Sequence, residues 1–236
     1  MLNDRERLRY SRHLLLPEFT EFDQLKLRNS KVLVVGAGGI GSPLIMYLAA
    51  SGIGTIGIVE YDKVHISNLH RQILYNENDI KKLKTEVIKN RLIKINSNVK
   101  LDIYNERLSE ELANIIIPKY DVVVGATDNF ESRHIIDDYC KKYEKIFING
   151  SVKNYECQIT IFTYDNKLSY KEIFGKTDNE TGKEDIGVFG PLAGIAGCLM
   201  AGEVIKILTN KSNTLKNKLL RFDILKMNWE IYNLVN

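Results

Sequence analysis

Short apolar runs alternate along the first 150 residues with stretches whose hydrophobic positions recur every three or four residues. The runs at 31–35 (KVLVV), 55–60 (TIGIVE), 99–104, 121–125 (DVVVG) and 146–150 (KIFIN) predict strands, and the stretches at 40–51, 79–95, 109–116 and 130–142 predict helices. Over 79–95 the spacing is carried by Ile80, Leu83, Val87, Leu92 and Ile95. Strands that are apolar on both faces and take turns with helices predict a parallel sheet covered on each side. After residue 156 the period changes. QITIFTY (158–164) alternates as an antiparallel strand does, 165–187 is polar and reads as a mobile loop, 191–208 is an apolar helix, and 218–224 with 228–234 predict a closing hairpin. The expected fold is one α/β domain: a helical arm over 1–29, a mostly parallel unit over 30–156 and an antiparallel extension over 157–236.

Composition narrows the classes without choosing one. The 236 residues are 44% hydrophobic and 27% charged, ordinary for a globular chain. Lys plus Arg number 33 against 30 acids, and a net charge of +3 is too mild to imply a nucleic-acid or membrane surface, so neither partner is expected. Cys140, Cys157 and Cys198 are widely spaced and form no C-x-x-C pair, which excludes a disulfide framework and a four-cysteine zinc site within one chain. The opening MLNDRERLRYSRH is charged throughout and has no apolar leader core, which predicts a cytoplasmic protein. Ile186–Gly202 is uncharged for 17 residues, but it holds five glycines and a proline, falls short of a membrane span and runs into Glu203 and Lys206. It reads as a buried or interface helix.

Chemistry enters at Gly36-Ala37-Gly38-Gly39-Ile40-Gly41, which fits G-x-G-x-x-G between a predicted strand and a predicted helix. Glycines let the backbone turn tightly and approach phosphate oxygens, whose charge meets free N–H groups at the helix N-terminus. Glu60, 24 residues after Gly36, ends the next strand, where an acid holds ribose hydroxyls. Taken alone, these features make a nicotinamide-dependent oxidoreductase the first reading. The polar residues beyond Glu60 suit a triphosphate better: Asp62, then Ser67-Asn68-Leu69-His70-Arg71-Gln72, then Lys84. Arg and Lys side chains are the usual partners of added phosphate charge. Asp128, in Gly125-Ala126-Thr127-Asp128-Asn129, puts a carboxylate at the sheet edge where ligands bind and suggests Mg²⁺. Plainer alternatives exist: Asp128 as the N-cap of the 130–142 helix, Lys84 as a solvated lysine, Arg71 as a surface ion pair.

The segments Arg9-Tyr10-Ser11-Arg12, VLVVGAGGIGSPLIMYLAASGIG (32–54), SNLHRQILY (67–75), Lys84, GATDNFESR (125–133) and GPLAGIAGCLMAGEVIKIL (190–208) occur in that order. Together they resemble the ThiF/MoeB/HesA family, bacterial relatives of the ubiquitin-activating enzymes. The resemblance implies a Rossmann-like fold and a homodimer that uses Mg²⁺ and ATP. The reaction it implies is adenylation of the C-terminal Gly-Gly carboxylate of a ubiquitin-like sulfur-carrier protein, for thiamine or molybdopterin synthesis. It assigns Gly36, Gly38, Gly39 and Gly41 to the nucleotide loop and puts Glu60 where the family has an aspartate at the ribose. Asn68, Arg71 and Lys84 match phosphate-contacting positions, Asp62, Gln72 and Asn129 belong to the same nucleotide site, and Asp128 matches the acid that holds Mg²⁺. Arg12 matches an arginine that reaches across the dimer to the partner's ATP; Leu8, Arg12 and Leu15 are spaced to share a helical face beside it. By the same resemblance, 157–236 receives the carrier.

The chain also departs from the family. Where zinc-binding members carry the first of two Cys pairs, it reads Ser169-Tyr170-Lys171-Glu172, and no second pair is present further on, so no zinc site is expected. Members that form a thioester place a Cys shortly before the crossover Gly-Val; here Lys183, Glu184 and Asp185 precede Gly187-Val188. Adenylation without a covalent thioester step is therefore expected, with Cys157 a structural strand residue and Cys140 and Cys198 core residues. The implied step is in-line attack of an already ionised carboxylate on the α-phosphate. It needs no general base, only positioning and charge stabilisation. The rival readings are the NAD-dependent oxidoreductase and a non-catalytic nucleotide-binding relative; Arg71, Lys84 and Asp128 speak against both.

Overall fold

Strands apolar on both faces need cover on both, and the structure supplies it. The computed structural model describes residues 1–165, 168–175 and 187–234. Its strands are β1 (Lys31–Val35), β2 (Thr55–Val59), β3 (Lys100–Tyr104), β4 (Val122–Gly125), β5 (Ile146–Lys153), β6 (Glu156–Phe162), β7 (Lys218–Asp223) and β8 (Asn228–Asn233). All eight form one sheet in the order β3-β2-β1-β4-β5-β6-β7-β8. The first five run parallel, and β6, β7 and β8 are added antiparallel. This is the expected mixed sheet, and the β5–β6 pairing carries it without a break from the parallel unit into the extension.

Alternate residues of β1 show how the layers form. Val32 and Val34 face a core shared with α4 (Gly41–Ser51), α5 (Lys84–Ile95) and α9 (Gly190–Leu208). Leu33 and Val35 face the opposite core, shared with α6 (Glu110–Ile116), α7 (Phe130–Lys142) and α8 (Tyr170–Phe174). The long helix α9 is apolar enough to cross a membrane by length and composition, yet half of it is buried within the protein. Leu192, Ala196, Met200 and Val204 form its buried face against α4, β5 and β6. Gly194, Ile195, Cys198 and Leu199 lie on the more open side. Cys198 is thus exposed, a correction to its expected place in the core; helical spacing alone does not say which of two apolar faces is covered.

Three further expectations change. The helix expected over 79–95 begins only at Lys84; 77–79 is a single 3₁₀ turn and Lys81 adopts φ +72°. Residues 81–84 instead hydrogen-bond back to 62–64, through Lys81 N–H to the Val64 carbonyl and Lys84 N–H to the Asp62 carbonyl. The N-terminal arm is three short helices, α1 (Asp4–Arg9), α2 (Ser11–Leu14) and α3 (Glu21–Asn29). The break falls at Tyr10, whose side chain is buried and accepts a hydrogen bond from Asn96 at 3.0 Å. Leu8, Arg12 and Leu15 therefore share no continuous helix, although all three are exposed. The polar 165–187 stretch contains α8, too short to show a period, with Tyr170 buried. Asp137 anchors it by accepting from the Tyr164 hydroxyl and from the Tyr170 and Lys171 N–H groups. Lys183, Glu184 and Asp185 lie outside the described residues.

Two glycines in the loop after β1 are required by space. Gly36 sits at φ +93°, and a Cβ there would lie 2.7 Å from the Ala126 carbonyl oxygen. At Gly41 a Cβ would lie 2.2 Å from the Gly36 carbonyl oxygen. Both obstacles are backbone and cannot rotate away. Gly41→Ala is expected to cost about 2–3 kcal/mol, lowering the melting temperature by roughly 5–10 °C; a calorimetric scan reads it directly.

Candidate active site

The strand order reverses direction between β1 and β4, the point in an open parallel sheet where connections leave a crevice at the carboxyl ends of the strands. A cleft of about 240 Å³ opens there. Among its walls are Gly36, Gly38, Gly39, Glu60, Asp62, Asn68, Arg71, Gln72, Lys84, Asp128 and Asn129, residues spread over nearly a hundred positions of sequence. Of the expected site residues only Gly41 and Arg12 are absent from the lining. Gly41 lies beneath the loop against Gly36, where it lets α4 approach β1. Arg12 is exposed on the arm and has no hydrogen-bond or ion-pair partner among the described residues.

Each wall has a local cause. The Ala37 carbonyl accepts from the Tyr75 hydroxyl at 2.8 Å, and the Ala37 N–H donates to Glu60 Oε2 at 3.0 Å, so the glycine loop is held from both sides. Glu60, buried, also accepts from the Tyr61 and Asp62 N–H groups, each at 2.9 Å. Its carboxylate thereby braces the loop against the turn after β2. Lys84, buried, lies 3.7 Å from Glu60 Oε2 and 3.2 Å from Asp62 Oδ2. It is neither a solvated lysine nor part of the preceding segment's helix: the 62–64 pairing sets it at the first turn of α5, facing the cleft. Asp62 is the more exposed of the two acids. The Arg71 stem crosses Gly39, with Cγ 3.4 Å from where a glycine Cβ would be, and its guanidinium donates to the Ser67 carbonyl; no carboxylate among the described residues pairs with it. Gln72 is buried, and its Oε1 has no hydrogen-bond donor among the described residues.

At the β4 end, the question of which residue caps α7 is decided. Asn129 is the N-cap: its Oδ1 accepts from Ser132 N–H at 2.8 Å, and its Nδ2 donates to Thr127 Oγ1 at 2.8 Å. Asp128 is exposed at the cleft wall, with no hydrogen bond or ion pair among the described residues. Its carboxylate is left for a ligand. One carboxylate beside a phosphate site fits Mg²⁺, which keeps several waters and takes the rest of its shell from phosphate oxygens. No group of three or more His, Cys, Asp or Glu side chains suited to a metal occurs among the described residues.

Sequence reasoning did not single out Tyr61, Arg107 or Arg133, all of which line the cleft. Arg133 closes the GATDNFESR segment, so its nearness to Asp128 was open to view; its burial was not. Tyr61 comes directly after the acid at the strand end, and its phenol is raised above the ordinary value, first by partial burial and next by Asp62. A larger groove of about 620 Å³ lies alongside, between α6 and α7, sharing Arg107 and Leu108. Its acids Glu110, Glu111, Glu131 and Asp138 outnumber Arg107 and Lys171, and it has no glycine loop, so it suits a phosphate poorly. Trp229 on β8 stacks on Phe222 of β7 at the sheet edge, away from the β1/β4 cleft.

Comparison with known proteins identifies the family and supports the fold. The family model described as the ThiF family matches residues 10–236. The "Probable molybdopterin-synthase adenylyltransferase" of Porphyra purpurea is 41% identical over 235 residues, covering 98% of this chain and 62% of the relative. The "Adenylyltransferase and sulfurtransferase MOCS3" of Dictyostelium discoideum is 42% identical over 219 residues, covering 91% of this chain and 52% of the relative. The chain thus spans about half to two thirds of the length of the curated relatives it matches. Among solved structures, E. coli MccB with ATP superposes with a TM-score of 0.86 at 28% identity, covering 99% of this chain and 72% of MccB. The chain belongs to the ThiF family.

Proposed function

We propose that this protein is an ATP-dependent adenylyltransferase that activates the C-terminal carboxylate of a ubiquitin-like sulfur carrier, without forming a thioester to itself. The observation that carries the reading is one cleft in which a glycine loop, Arg71, Lys84 and an unpartnered Asp128 converge at the β1/β4 switch point. ATP lies with its ribose toward Glu60 and Asp62 and its phosphates over the glycine loop. The carboxylate oxygen attacks the α-phosphorus, and the bond to the β-phosphate breaks with pyrophosphate as leaving group. Arg71 and Lys84 offset the charge that grows on the leaving pyrophosphate, and Asn68 and Gln72 orient the phosphates. When Mg²⁺ is bound, held by Asp128, it supplies further charge neutralisation on the phosphates. A cytoplasmic setting supplies the ATP.

The molybdopterin branch is favoured over thiamine as the carrier's pathway, because the Porphyra purpurea relative, 41% identical, bears the name of a molybdopterin-synthase adenylyltransferase. The test is radiolabelled pyrophosphate exchange into ATP, run with and without a molybdopterin-type carrier ending in Gly-Gly. Carrier-dependent exchange supports the reading. A melting-temperature rise with NAD⁺ and none with ATP would favour the oxidoreductase instead.

The thioester-free reading is supported by the chemistry of the cysteines. Cys157 is buried on β6, and burial pushes its thiol up to about 11; Cys140 is fully buried and raised well above the ordinary value by the same cause. Burial therefore keeps the Cys157 thiol protonated at neutral pH and poorly nucleophilic. Replacing all three cysteines by Ala or Ser is expected to preserve pyrophosphate exchange, at about 1–2 kcal/mol of stability for each buried site. A thiol-labile adduct between enzyme and carrier that vanishes with Cys157→Ser would overturn this.

A further inference from the structure

Arg133 carries a charge that no carboxylate among the described residues pairs with. It lies in the first turn of α7, is only 8% exposed and lines the nucleotide cleft. Its Nη2 donates to the Thr127 carbonyl at 2.8 Å, and the guanidinium sits 5.4 Å from the centroid of the Phe130 ring. Its Nε is buried without an acceptor among the described residues. Asp137, one helical turn further on, uses its oxygens on Tyr164, Tyr170 and Lys171 instead. Two other cations of the cleft already have counter-charges, Lys84 in Asp62 and Glu60, and Arg107 in Glu131. A buried guanidinium with no anion is costly, so a cleft that holds one is built for an anion yet to arrive.

Sheet order says which anion. Glu60 and Asp62 come after β2, Arg107 and Leu108 after β3, and the glycine loop after β1, so most of the nucleotide's residues lie on the β3-β2-β1 side, with Asp128 and Asn129 alone among them coming after β4. Arg133 comes after β4, toward β5, where the cleft wall turns apolar at Val152 and Val188. An apolar wall suits the tail of a second substrate better than it suits a phosphate. We propose that Arg133 binds the C-terminal carboxylate of the acyl substrate, an inference that rests on the adenylation reading above. Arg133 hydrogen-bonds the carboxylate oxygen that does not attack. The other oxygen forms the new bond to the α-phosphorus, the α–β bridging bond breaks, and pyrophosphate leaves with the electron pair. Arg133 keeps its proton throughout.

The test is a binding cycle on the full chain in the presence of α,β-methylene ATP. A molybdopterin-type carrier ending in Gly-Gly is titrated as the free carboxylate and as the C-terminal carboxamide, into the wild type and into Arg133→Gln. The wild type is expected to prefer the carboxylate by about tenfold or more, and Arg133→Gln to bind both forms alike. Affinity for α,β-methylene ATP is expected to stay within about twofold. An unchanged carboxylate preference in Arg133→Gln overturns the proposal, as does a loss confined to nucleotide affinity. Should Arg133→Gln melt below the assay temperature, Arg133→Lys, which keeps the charge but not the fork, is read in the same cycle. It is expected to reduce the preference about threefold or more; a wild-type preference there overturns the proposal equally. Carrier-dependent pyrophosphate exchange by the wild type is measured alongside, and its absence would strike the adenylation reading rather than the role of Arg133.

Discussion

Asp128→Asn is expected to lower carrier-dependent pyrophosphate exchange by about two to three decades while the protein keeps its melting temperature. The activity loss corresponds to about 3–4 kcal/mol of transition-state stabilisation, the usual scale for removing a charge-positioning group from a phosphoryl-transfer site. Stability is spared because the side chain is exposed and makes no hydrogen bond or ion pair among the described residues, while the helix behind it is capped by Asn129. The substitution keeps the shape and removes the charge, so an effect has no packing explanation. Steady-state exchange and a thermal scan on the same preparation separate the two quantities. Activity within a few-fold of wild type would remove Asp128 from the reaction.

The second large effect concerns Arg12. It stands outside the cleft of its own chain, on an arm whose Leu8, Leu15, Leu16 and Phe22 are all exposed. The arm meets the body near α9 through Lys211, whose ammonium bonds Asp23 at 3.1 Å and the Glu18 carbonyl. With the open face of α9 at Ile195 and Leu199, these residues form apolar surface of the kind that pairs copies of a chain. In a homodimer of the kind the family resemblance implies, Arg12 would enter the partner's cleft and meet its nucleotide. Arg12→Ala and Arg71→Ala are each expected to lose about two decades of exchange activity. Mixed under conditions where subunits exchange, they are expected to regain about a quarter of wild-type activity, since half of the dimers are then mixed and each mixed dimer holds one complete site of two. No rescue despite demonstrated exchange of subunits, or a monomer by sedimentation, would remove the shared site.

Much of this architecture was legible because its signals are local. A continuous apolar run leading into glycines and an apolar-periodic stretch specifies strand, turn and helix within twenty residues, and the order of such units specifies the parallel sheet. The cleft was open to the same logic, since the glycine loop, Glu60, Asp62, Lys84, Asp128 and Asn129 sit just past a strand end or at a helix start, whereas Asn68, Arg71 and Gln72 lie within the long connection from β2 to α5. The features that sequence hid were decided by competition between neighbours or by distant contacts. Asp128 and Asn129 can each cap a helix; only the structure shows that Asn129 does and leaves the carboxylate free. Lys84 owes its burial to the short pairing of 62–64 with 81–84, which interrupts a convincing helical period. Tyr10 breaks the arm because its ring finds Asn96, 86 residues away. The brace role of Glu60 appears only when the Ala37, Tyr61 and Asp62 amides are seen to converge on one carboxylate.

The claim at the centre of this account is that the acceptor of AMP is a carboxylate, and hydroxylamine trapping tests it most directly. The enzyme, ATP, Mg²⁺ and a molybdopterin-type carrier ending in Gly-Gly are incubated with hydroxylamine, and the carrier's C-terminal peptide is weighed by mass spectrometry. An acyl-adenylate is captured as a C-terminal hydroxamate on the last glycine, formed in step with pyrophosphate release and reduced about a hundredfold or more with Asp128→Asn. A carrier returned unmodified while pyrophosphate is released, or AMP found on any group other than the C-terminal carboxyl, would contradict it.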